Sequence, residues 1–166
     1  MDGDITPARL ADRAWGRAVF TAKELVAELP SLSAAASPPF ESVEFGYQDF
    51  DPPCSEQSIR AFRGSKHDFA CGLAFWVKTL QAQGWEGRGA CFVPYAEAGL
   101  CEPISGAEFA RLVAEHSSSL REPLPLFLLR LDDFRSGLRM YADWNDVAAV
   151  AELAEAFVAF YWFTTA

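Results

Sequence analysis

The sequence predicts an α+β fold, with a small, mostly antiparallel sheet of about four strands and roughly four or five helices packed on one face. Three observations point there. Thr21–Glu24, Ser65–Asp68 and Ser105–Glu108 each match the capping box that opens helices. Val43, Phe45 and Tyr47 alternate with Glu44, Gly46 and Gln48, the period of a half-buried strand. The turn formers Asp132 to Gly137 separate two apolar segments, as in a hairpin, and no regular βαβ alternation runs through the chain.

Taken in order, Thr6 and Pro7 open a first helix, since Thr caps well and Pro suits the first helical position. The box at Thr21 starts a second helix, or the second arm of a bent one, which Pro30 stops. Residues 31–39 are rich in Ser, Ala and Pro and read as a surface loop or linker. Glu41 to Phe50 is the alternating strand, ended by Asp51-Pro52-Pro53. Phe69, Leu73, Trp76, Val77 and Leu80 form one helical stripe, closed by Gly84. Ala90 to Tyr95 is a short strand, and the box at Ser105 leads a helix to near His116.

Leu124 to Leu131 and Leu138 to Ala142 are the two arms of the expected hairpin. Asp143 and Asp146 then suit the start of a last helix, continued by Val147, Val150, Ala151, Ala154, Phe157, Val158 and Tyr161. The run Phe157–Phe163 also fits a strand. It is apolar on every side in either form, so the fold or another chain must cover it. Phe157, Phe160, Tyr161 and Trp162 are accordingly candidate contacts of a homodimer.

At 166 residues the chain suits one domain spanning 1–166, long enough to fold without disulfide or metal. A hydrophobic share of 51% excludes wholesale disorder. The formal charge of -9 opposes binding to a phosphate backbone, so no nucleic-acid partner is expected. No basic-then-apolar leader opens the sequence and no apolar run approaches the roughly 20 residues of a bilayer span, so a cytoplasmic protein without a membrane partner is expected. Cys54, Cys71, Cys91 and Cys101 show no CxxC spacing, which suits free thiols in a reducing compartment.

Chemistry-bearing patterns are sparse. The glycines fall into no phosphate-binding pattern, and the two histidines, His67 and His116, belong to no metal-ligand pair, so neither cofactor nor metal is expected. The one candidate catalytic set is Cys54, Cys71 and His67. Cys71 follows His67 by four residues, which on a helix places both on one face, where an imidazole can lower a thiol pKa. Asp132 and Asp133, like Asp49 and Asp51, sit in turns, where equal solvated environments suit turn formation better than acid/base work.

Charge distribution is the most distinctive feature. From Glu24 to Ile59 there are seven acidic residues and no Lys or Arg. Aromatic residues lie among them. Glu41, Glu44, Tyr47, Asp49, Phe50 and Asp51, with Asp132 and Asp133, are therefore the candidate surface for a basic protein partner. The expected function is a non-enzymatic acidic protein-binding module, for instance an inhibitor or immunity-type protein that neutralises a basic toxin or enzyme. The alternatives are a small cytosolic enzyme with the Cys/His site, or a structural subunit of an oligomer.

Overall fold

The computed structural model describes residues 40–69, 72–83, 95, 98–100, 102–125 and 129–165. The expected helices of residues 6–29, the linker 31–39 and most of the strand 90–95 lie outside them. Six strands form one antiparallel sheet: β1 (Phe40–Phe45), β2 (Gln57–Ser65), β3 (Glu102–Ile104), β4 (Phe134–Asp143), β5 (Asp146–Leu153) and β6 (Ala156–Thr164). Their order across the sheet is β1-β2-β6-β5-β4-β3. Two helices are present among the described residues, α1 (Gly72–Ala82) and α2 (Gly106–His116). The fold is thus sheet-rich, which corrects the expectation of about four strands under four or five helices.

The main error lies in residues 143–163. What reads as one helix is the β5–β6 hairpin, turning at Ala154–Glu155. Asp143 does not cap a helix; Asp143 and Asp146 face each other across a two-residue turn, Trp144–Asn145. The physical reason is the position of these strands. β5 and β6 are central, and both of their faces are covered. Both sets of alternating side chains are therefore apolar, and the period-two signal vanishes.

The helices lie on opposite faces, not on one. Along β6, Val158 and Phe160 join Phe50, Ile59, Phe109, Ala149, Ala151 and Leu153 in a core under α2. Phe157 and Tyr161 point the other way, toward α1. There Phe157 stacks on Phe75 at 5.6 Å, and the Tyr161 hydroxyl meets Thr79 Oγ1 at 2.6 Å. Alternation along an extended chain makes this two-sided packing possible. Gly64 in β2 leaves room for the Phe69 ring, which lies where a Cβ would stand, 2.5 Å from Cε2.

Local signals fare unevenly. The capping box at Ser105 forms in both directions: Glu108 N donates to Ser105 Oγ at 3.1 Å, and Ser105 N donates to Glu108 Oε2 at 2.7 Å. Ser65 caps only a short 3-10 turn, Lys66–Asp68, before the chain reaches α1. The strand expected from Glu41 ends at Phe45 and is followed by a second 3-10 turn, Tyr47–Asp49. Of the expected strand 124–131, the described residues outside 126–128 are not extended in the sheet. Instead Leu124, Leu129 and Leu131 pack against the α2-side core. No described helix is long and apolar enough to cross a membrane.

Candidate functional site at the acidic end of the sheet

The strand registers define two ends of the sheet. At one end lie Phe45, Gln57, Thr164, Asp146 and Asp143, in the last or first positions of β1, β2, β6, β5 and β4. This end carries three of the large hydrophobic side chains left exposed: Tyr47 (53%) and Trp144 (71%) in turns, and Phe163 (44%) near the end of β6. Exposed carboxylates accompany them at Asp49, Asp51, Glu56 and Asp143. Across the sheet, Tyr47 follows β1 and Trp144 joins β4 to β5, between three and four strand spacings away, about 17 Å. That width matches one standard protein contact patch.

The turns here are tied down. Asp49 Oδ2 accepts from Gly46 N at 2.8 Å, closing the 3-10 turn. The same loop is fastened to the segment after α2. Asp51 N donates to Ser119 O at 2.7 Å, Arg121 N to Asp49 O at 2.8 Å, and Arg121 Nε to Phe50 O at 3.1 Å. The Trp144 turn is held by Thr164 N, which donates to Asn145 O at 3.0 Å. Anchors on such fixed turns lose little freedom on binding.

Behind Trp144 a cleft of about 350 Å³ opens between α2, β3 and the β4–β5 hairpin. Four carboxylates line it, Glu102, Glu108, Glu115 and Asp143, against the guanidinium groups of Arg111 and Arg139. Glu102 Oε2 takes two hydrogen bonds from Arg139, from Nε at 3.0 Å and from the terminal NH2 at 2.6 Å. The Ser105 hydrogen bond holds the Glu108 carboxyl below the usual carboxylate range, so it stays charged. His116 also borders the cleft. Its Nδ1 lies 2.8 Å from Leu112 O, and its ring rests on Trp162 at 4.9 Å, which fixes its orientation.

Beside β5, Tyr95 donates to Asp146 Oδ2 at 2.7 Å and Tyr141 donates to Tyr95 O at 2.6 Å. Burial pushes the Tyr95 and Tyr161 hydroxyls well up, and both stay protonated as donors.

The residues proposed from sequence divide between the two ends. Tyr47, Asp49 and Asp51 fall on the acidic end. Glu44 is exposed on β1, with Oε1 at 2.9 Å from an Arg60 terminal nitrogen. Glu41 lies near the far end of β1. Asp132 and Asp133 precede β4, whose ten residues put them about 33 Å from Trp144. There Asp132 pairs with Arg130. Phe50 is fully buried in the core and presents no surface.

Phe157, Phe160 and Tyr161 are buried within the chain, Trp162 is half-buried, and all four stand in a central strand. The chain's own packing covers Phe157, Phe160 and Tyr161, while Phe163 at the end of the run stays exposed. Trp144, Phe163, Glu56 and Asp143 were missed as site residues. A bulky aromatic between turn formers, Asp143-Trp144-Asn145-Asp146, is a signal that suits an exposed hairpin tip, although the same residues read as a helix start.

Cys54 and His67 are not brought together. Cys54, half-buried against the α2-side core, precedes β2, and exposed His67 follows it. The nine residues of β2 put about 30 Å between them. Cys71 lies outside the described residues. Among those residues no group of three His, Cys, Asp or Glu side chains is arranged to hold a metal ion. No family model matches the chain, and no curated protein or solved structure matches it.

Proposed function

We propose that this chain is a non-enzymatic protein-binding module of the inhibitor or immunity type, acting in the cytoplasm. It holds a basic toxin or enzyme against the acidic end of its sheet. One observation carries the reading. Tyr47, Trp144 and Phe163 are exposed together with Asp49, Asp51, Glu56 and Asp143 on the turns and strand ends at one end of the sheet. Aromatic anchors supply most of the affinity in protein contacts, and charge supplies the approach rate and the choice of partner. The cleft behind Trp144, with its excess of carboxylates, suits a lysine or arginine side chain beside the indole face. The sheet-long gap between Cys54 and His67 removes that pair from the competing enzyme reading.

The test is capture on the immobilised chain from an extract of its source cells, followed by the dissociation constant of the purified captured protein. The expected partner is basic. Asp51→Lys with Glu56→Lys weakens it, and so does added salt. Asp132→Lys with Asp133→Lys, at the opposite end, leaves it unchanged. Capture of nothing basic, or equal loss from changes at both ends, overturns the reading.

A further inference from the structure

We infer that the outer edge of β1 accepts an extended basic segment of another protein as a seventh strand of the sheet. β1 stands at the sheet's margin, and among the described residues no strand pairs with its outer side. In an antiparallel pair, alternate residues bond to the partner, so every second residue of β1 turns its N–H and C=O outward. These groups are a template for strand addition. A groove of about 580 Å³ lies over β1 and β2, bordered by Phe40, Glu44, Arg60 and Phe62 and, at the end of α1, by Ala82 and Gln83. It gives the incoming side chains somewhere to lie.

The register chooses the occupant. β1 reads Phe40-Glu41-Ser42-Val43-Glu44-Phe45, and its inner partner β2 sets Arg63 opposite Glu41 and Arg60 opposite Glu44. The sheet thus sets bases three residues apart against this strand, one on each face; Arg60 pairs with Glu44, while Arg63 donates to Arg130 O at 3.1 Å. An added strand repeating that spacing meets the same two glutamates from the other side. Glu44 remains 62% exposed while paired with Arg60, and a carboxylate accepts more than one donor. A second copy of β1 is the poor occupant. The segment is palindromic in charge, so pairing it with itself in antiparallel register sets Glu41 against Glu44 twice, a like-charge opposition.

This surface is separate from the acidic end, and the inference stands whichever partner that end takes. The probe is a capped hexapeptide with arginine at its second and fifth positions and threonine elsewhere, titrated into the whole chain while backbone amide shifts are followed. The expected result is saturable shifts in Phe40–Phe45, with binding about tenfold weaker for Glu41→Lys. Binding is lost when alternate peptide nitrogens are methylated or when both arginines become glutamate. Trp144→Ala leaves peptide binding unchanged, which separates failure here from failure of the end-face reading. Shifts confined to Tyr47–Asp51 and Trp144, equal binding of the methylated peptide, or a dimer joined through β1 overturns the inference.

Discussion

Tyr95 donates its phenolic hydrogen to Asp146 Oδ2 at 2.7 Å, joining two half-buried side chains at the foot of the Trp144 turn. Burial lifts the Asp146 carboxyl above its ordinary value. The Tyr95 hydrogen bond opposes that lift, and the charge of Asp143 adds to it. A carboxyl lifted in the folded state holds its proton more tightly folded than unfolded. Its contribution to stability is full below the ordinary carboxylate value and is lost as pH rises through the lifted one. Asp146→Asn does not titrate. Urea midpoints measured from about pH 3 to pH 7 are therefore expected to fall for the parent chain relative to Asp146→Asn as pH rises. A constant difference between the two curves contradicts this account.

Trp144 separates binding from folding. It is 71% exposed, so Trp144→Ala is expected to move the unfolding midpoint by no more than about 0.5 kcal/mol. The same change is expected to weaken the captured partner by about 2 kcal/mol, roughly thirtyfold. Denaturation and calorimetric titration of one protein preparation read both quantities.

The core under α2 predicts a large loss. Phe160 is fully buried and pairs with Ala61 on one side and Ala149 on the other. Two small neighbours leave its ring as the main filler of that layer. Phe160→Ala is expected to cost about 3–5 kcal/mol, seen as a lower urea midpoint.

The cap on α2 predicts a smaller one. Ser105→Ala removes the acceptor for Glu108 N and costs about 1 kcal/mol of stability. Glu108 bonded to the Ser105 amide is held below its ordinary value, so its contribution is present above that value and lost as pH falls through the lowered one. The stability difference between the parent chain and Glu108→Gln, which does not titrate, is therefore expected to shrink in acid, as denaturation at two pH values shows.

Legibility in the sequence followed the reach of each signal. Ser105 and Glu108 were readable because a capping box is complete within four residues. Val43 and Phe45 were readable because β1 is a marginal strand whose exposed residues Ser42 and Glu44, on the opposite face, keep the alternation visible. The opposite held for Val147 to Val150 and Phe157 to Phe160. Helices cover both of their faces, and one apolar run suits either secondary structure. β2 escaped notice because Arg60 and Arg63 break its apolar pattern; only the register shows them facing Glu44 and Glu41. For the site, Tyr47, Asp49 and Asp51 were legible through local charge. Their meeting with Trp144 and Phe163 depends on strand order, which local spacing does not encode.

The position of β6 has a consequence for how the chain assembles. β6 is the seam between β1–β2 and β3–β4–β5, which do not otherwise pair. It reaches β5 through a tight turn but meets β2 only after closing a loop of roughly a hundred residues, an entropic toll that short hairpins avoid. Loop-closure entropy thus favours forming the two half-sheets before they are joined. Any lesion in that seam leaves a pair of sticky, unfinished ribbons in place of one slightly loosened molecule.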